Sequence, residues 1–139
     1  MSFLLDTNVV SEWSKSVPNP RLITWLAEVD EDSSFLSVIT LAEIRYGIER
    51  LPSGKRKRNL QEWLGEDLQL RFEGRILSVD AAIADQAGRM VAQSEKLGRA
   101  MDTADALLAA TAKLYELTLV TRNTSDFKHL LPSILNPWN

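Results

Sequence analysis

The chain has 139 residues, of which 45% are apolar and 25% charged, and a formal net charge of −3. That length predicts one domain, residues 1–139, with room for a proper core. The mild acidity excludes a broadly basic nucleic-acid binder, so any nucleic acid must be met by a local patch. With no cysteine and a single histidine, His129, the chain excludes disulfides, thiolate zinc sites, thiol catalysis and histidine-pair acid–base chemistry. No apolar run approaches a membrane span and no signal peptide is visible. The expectation is a cytoplasmic protein with no membrane partner.

Phe3-Leu4-Leu5 reads as a short strand buried on both faces. It ends on Asp6, a residue of poor β propensity whose lone burial is expensive. At the C-terminal end of a parallel strand, Asp6 instead faces the crevice where open α/β sheets bind ligands. Thr7 to Ser14 predicts a short helix with Val9, Val10 and Trp13 as its apolar residues, broken by Val17-Pro18-Asn19-Pro20. Asn19 as cap and Pro20 in the first turn start a second helix through Ile23, Trp25, Leu26 and Val29. Ser34 to Val38 is a second strand. Thr40-Leu41-Ala42-Glu43 reads as a capping box opening a helix that runs to Leu51. A further helix begins at the basic run Lys55-Arg56-Lys57-Arg58 and continues toward Phe72. Gly74 to Val79 is a third strand. Asp80 caps a long helix whose apolar face carries Ile83, Ala87, Met90 and Val91. Asp102 to Leu114 is the most apolar helix. Thr118 to Thr121 is a fourth strand, Arg122 to Leu131 a loop with a short helix, and Ile134-Leu135 a final strand. Strands alternating with helices predict an α/β fold: a three-layer α/β/α sandwich around a central parallel sheet.

In such a sheet, strand ends and following helix starts share one edge. Asp6, Glu43, the pair Asp102 and Asp105, and Asp126 all fall at those termini. Most have a plain explanation: Glu43 completes the Thr40 box, Asp105 favours the helix dipole, and Asp126 caps the short helix carrying Phe127. Asp6 has none. Clustered carboxylates raise one another's pKa unless a cation neutralises them. Without thiols or further imidazoles, the hard oxygen set selects Mg²⁺ or Mn²⁺. Such a site supports metal-assisted phosphoryl chemistry with water as the nucleophile.

The residues then resemble a known family. Leu4-Leu5-Asp6-Thr7-Asn8, Thr40 to Gly47, Asp105 to Ala112, and Thr121-Arg122-Asn123 with Asp126-Phe127 resemble the blocks of the PIN-domain ribonucleases, in particular the VapC-like toxins and their FitB-like subgroup. The resemblance covers essentially the whole chain. It implies a metal-dependent endoribonuclease, the toxin of a type II toxin–antitoxin pair, acting on RNA. It implies that Asp6, Glu43 and Asp105 bind the metal and that Thr7 or Asn8 positions water or metal. It implies a homodimer and a small antitoxin protein threading an arginine toward the acidic pocket, in a higher hetero-oligomer. The family's fourth acid falls where this chain has Asn123, with Asp126 nearby. Asn123 offers only a carbonyl oxygen. Asp126 is therefore expected to act at a second metal or through water, with Asn123, Asp102 and Thr121 in support.

Other features are read beside this. The run Lys55 to Arg58 opposes the dipole at a helix start, so it is an RNA-backbone contact or a solvated face. Arg122 holds a phosphate or pairs with Asp126. His129 is read as a surface residue, and Trp13, Trp25 and Trp63 as core or subunit contacts. Two other functions fit the same acids: a phosphatase or receiver-type domain phosphorylated on aspartate, and a catalytically silent interaction module. Asn8 stands where the receiver reading needs a second acid.

Overall fold

The computed structural model describes residues 1–139. Five parallel strands form the sheet: β1 (Phe3–Leu5), β2 (Ser34–Ser37), β3 (Ile76–Leu77), β4 (Thr118–Val120) and β5 (Ile134–Leu135), in the order β3-β2-β1-β4-β5. Phe3 lies opposite Ser34 on one side and Thr118 on the other. Both edges of β1 are therefore paired, which allows three consecutive apolar residues to be buried there. The chain builds β2 and β3 outward on one side of β1, then returns to lay β4 on the other. That reversal is a topological switch point, and it falls at the end of β1, next to Asp6.

The pleat divides the core into two layers. Leu4 and Leu119 point into a cluster with Ile83, Met90, Leu108 and Phe127, from α6 (Ala81–Lys96), α7 (Thr103–Leu114) and the loop beyond β4. Phe3, Leu5 and Val120 point the other way, toward Val9, Val10, Leu22, Ile44, Leu64 and Phe72. That layer is built from α1 (Thr7–Glu12), α2 (Pro20–Glu28), α3 (Val38–Glu49), α4 (Lys55–Glu62) and α5 (Leu68–Arg71). Each fully buried Leu contributes about 1.5–3 kcal/mol. Ala106, Ala109 and Ala110 keep the buried face of α7 small, so it packs closely under the sheet edge that carries the acids. Trp25 meets Phe3 edge-on at 5.2 Å and Trp13 lies 5.9 Å from Phe72, in keeping with a core role.

In the helices and strands, the main departures from the sequence reading are these. Helix α3 starts at Val38, and its cap is Ser37, whose hydroxyl accepts the Ile39 N–H at 3.0 Å. There is no Thr40–Glu43 capping box; Thr40 is buried and Glu43 lies in the second turn. The helix from Lys55 toward Phe72 contains a π-helical turn, Trp63–Asp67, between α4 and α5, which keeps Leu64, Leu68 and Phe72 on the buried side. The third strand shortens to Ile76–Leu77 at the sheet edge. Asp126 ends the short 3₁₀ turn Thr124–Asp126 rather than capping it; the cap position is Asn123, with no side-chain cap bond. No helix is long and apolar enough to cross a membrane.

Candidate active site

Asp6 leaves β1 with its N–H still bonded to the Val120 carbonyl at 2.9 Å, so the backbone is held between β1 and β4. It then serves as the cap residue of α1. Its carboxylate is buried, and it accepts from the Thr7 N–H at 2.7 Å, the Thr121 hydroxyl at 2.8 Å and the Asn8 amide at 3.3 Å. The Asn123 N–H donates to the Thr121 oxygen at 3.0 Å, which leaves the Thr121 proton for Asp6. Burial pushes the Asp6 carboxyl above its usual range; Thr121, Thr7 and Asn8 oppose the rise, and the charge of Glu43 adds to it.

Glu43 reaches the same place from α3. The Thr7 hydroxyl donates to it at 2.6 Å, so Thr7 bridges Glu43 and Asp6 through its side chain and its backbone. Asp105 comes from the first turn of α7, where the Asp102 carboxylate caps its N–H at 2.8 Å. Burial pushes Asp105 up to about 7, reinforced by the charges of Asp102, Asp6, Glu43 and Asp126. The five acids therefore share one field at the switch point. A concavity of about 370 Å³ opens there, lined by Asp102, Asp105, Asp126, Arg99 and His129 among others. No three acids are drawn together around a single point, so a metal would gather them further. The donors do fit a hard divalent ion: they are all oxygens, and their repulsion, visible in Asp105, is what such an ion offsets.

Other expected residues lie elsewhere. Arg122 does not pair with Asp126. Its guanidinium approaches Glu12 at 3.6 Å and stacks 4.6 Å from the centre of the Trp138 ring. Its backbone N–H donates to the Asn8 side-chain oxygen Oδ1 at 3.2 Å, which aims the Asn8 Nδ2 at Asp6. Lys57 donates to the Glu49 carbonyl at 3.1 Å and so closes α3. Lys55 and Arg58 are exposed. Arg56 lines a groove that also holds Thr7 and Glu43. His129 is not a surface residue: it is half-buried on the wall of the acidic concavity, with Nε2 at 2.8 Å from the Ser94 hydroxyl and Nδ1 unpartnered. The sequence reading missed Glu12, which is 2% exposed. Its signal was present, since it lies three residues after the buried Val9 on the inward stripe of α1.

The comparisons agree with this geometry. The pattern of the PIN domain matches residues 3–130. Toxin FitB of Neisseria gonorrhoeae is 38% identical over 98% of this chain and 98% of its own. VapC ribonuclease Y4jK of Sinorhizobium fredii is 34% identical over 97% of this chain and 96% of its own. A chain in the structure of FitAB bound to an IR36 DNA fragment superposes with a TM-score of 0.92 at 36% identity, over 99% of this chain and 96% of that one. From β1 through the loop beyond β4, this chain belongs to the PIN-domain family.

Proposed function

We propose that this protein is a divalent-metal-dependent endoribonuclease, the toxin of a type II toxin–antitoxin pair. The observation that carries this is the convergence of Asp6, Glu43, Asp105 and Asp126 at the switch point of a PIN-domain sheet, with their repulsion uncompensated. The similarity to proteins named a toxin and a ribonuclease supports it. Asp6, Glu43 and Asp105 hold Mg²⁺ or Mn²⁺. When bound, such an ion makes water nucleophilic near neutral pH and offsets charge on a scissile phosphate. Thr121, Thr7 and Asn8 fix the Asp6 carboxylate, and Asp102 fixes the backbone under Asp105. Asp126 acts at a second ion or through water, with Asn123 in support through the Thr121 hydroxyl. Arg56, with Lys55 and Arg58 beside it, meets the RNA backbone along the groove that leads to Glu43. The partner is an antitoxin protein, in keeping with the structure of FitAB bound to DNA, and the toxin pairs with itself as a homodimer in the cytoplasm.

Cleavage of single-stranded RNA by the purified protein tests this reading. Mg²⁺ or Mn²⁺ should support cleavage, chelation should stop it, and Asp6→Asn should remove most of it without unfolding the chain. Undiminished cleavage by Asp6→Asn would sink the metal assignment.

A further inference from the structure

Helix α1 carries a second buried acid that the proposed chemistry leaves unused. The Glu12 carboxylate accepts the Asn19 N–H at 2.8 Å and the Lys15 ammonium at 2.5 Å, with the Arg122 guanidinium at 3.6 Å. A buried carboxylate needs compensation, but one cation suffices and two are present, so the cluster carries a surplus positive charge. The side chains of Lys15 and Arg122 are 51% and 50% exposed, and both line one open concavity. The Arg122 guanidinium carbon lies 4.6 Å over the Trp138 ring, and its Nη2 lies 3.6 Å from a Glu12 oxygen. A planar donor held by its face and one edge presents its other N–H groups in a fixed direction.

These residues line an open concavity of about 540 Å³, separate from the acidic one. It is nevertheless tied to the acid site. Arg122 follows Thr121 directly, and its N–H holds the Asn8 side chain that contacts Asp6. Along α1, Asp6 and Glu12 are roughly 9 Å apart by helical rise. An RNA strand approaching the acids is repelled by them before any cation is bound. A fixed positive group at that distance offsets the repulsion and sets where the strand lies.

We propose that Arg122 and Lys15 form a subsite for a backbone phosphate of the RNA strand beside the cleavage position, with Glu12 as the positioning residue that aims Arg122. This rests on RNA being the substrate. The test is the salt dependence of kcat/KM on a single-stranded RNA with Mn²⁺ present. Arg122→Ala should raise KM by about tenfold, a loss of ~1.4 kcal/mol, with kcat nearly unchanged. It should also flatten the slope of log(kcat/KM) against log salt by about 0.7, the value for one single-strand phosphate. Arg122→Lys should restore the slope but not the full affinity. Glu12→Gln separates positioning from bulk charge. It removes a negative charge, so a purely electrostatic role predicts a lower KM, whereas loss of aim predicts a higher one. Arg122 is half-exposed, so its variants report even if Glu12→Gln melts early. If the unmodified chain cleaves RNA but Arg122→Ala keeps both KM and salt slope, the subsite is overturned and the nuclease reading stands. If the unmodified chain cleaves no RNA, the nuclease reading falls and takes the subsite with it.

Discussion

Helix α1 has a buried carboxylate at each end, Asp6 at its cap and Glu12 at its last residue, and their surroundings have opposite sign. Asp6 faces Glu43 and shares a field with Asp102, Asp105 and Asp126; its pKa is raised by burial and by Glu43. Burial also pushes Glu12 up, but Lys15, the Asn19 N–H and Arg122 outweigh it, and its pKa is lowered. Both carboxylates are shielded from solvent, yet their surroundings drive the shifts in opposite directions. At the Glu12 end the carboxylate is more than neutralised, since two cations face one acid. The acid end stores repulsion that a cation releases, whereas the Glu12 end carries an excess of positive charge that an anion offsets.

Neutralising an acid at each end tests this contrast most severely. Asp105→Asn and Asp6→Asn should each lower cleavage beyond the roughly 10–100-fold cost of losing an outer-shell partner. Both should leave the melting temperature in EDTA unchanged or higher. Glu12→Gln should keep kcat and melt earlier. If Asp105→Asn melts earlier in EDTA than the unmodified chain, the acid end is not under repulsion and the contrast collapses.

Metal should act at one end only. Mn²⁺ at a hundred times its Kd should stabilise the chain by about 2.7 kcal/mol, and Asp105→Asn should abolish that gain. Asp126→Asn should retain most of it while losing activity. Equal loss of Mn²⁺ binding in both variants would make Asp126 a primary ligand.

Glu12→Ala leaves the Asn19 N–H without its partner, at a cost of about 1–3 kcal/mol measured by urea unfolding. A cost near zero would mean that Lys15 and Arg122, not the buried bond, hold this corner.

The pH dependence sharpens the comparison. Asp105 titrates at about 7 when folded and near 3.8 when unfolded. Between those values the folded chain binds more protons, so in EDTA its stability falls as pH rises through that window. Glu12 runs the other way. Its contribution is present above its ordinary value of 4.5 and is lost as pH falls through its lower folded value. Thermal melts in EDTA between about pH 5 and pH 7 should show a downward slope that Asp105→Asn flattens and Glu12→Gln does not.

The smallest expected effect lies outside α1. Neutralising Lys55, Arg56 and Arg58 together should flatten the salt dependence of cleavage and change stability by only about 0.5 kcal/mol. An unchanged salt slope would make the run a solvated face.

Much of this was legible in the chain itself. Asp6 following three apolar residues marks a strand end; the sequence reading saw no plain structural role for it, but the structure gives it one as the cap of α1, and the alternation of strands and helices brings Glu43, Asp105 and Asp126 to that same edge. Local signals were less reliable where two caps compete. Thr40 and Glu43 have the spacing of a capping box, yet Ser37 ends its strand at Ser37 itself and captures the helix start, because the hydroxyl nearest the strand terminus meets the first free N–H groups. Arg122 was similarly ambiguous, with Asp126 close in sequence and Glu12 distant.

The sequence by itself determined the strand and helix alternation, the hard-oxygen character of the site and the absence of thiol chemistry, because these follow from residue type and short-range spacing. Only the tertiary structure decided which acids remain uncompensated. Thr7 reaches Glu43 across 36 positions, Thr121 reaches Asp6 across 115, and Arg122 reaches Glu12 rather than Asp126. A carboxylate's charge state depends on what surrounds it within a few ångströms, and those neighbours are assembled by the sheet order, which no local stretch of the chain encodes.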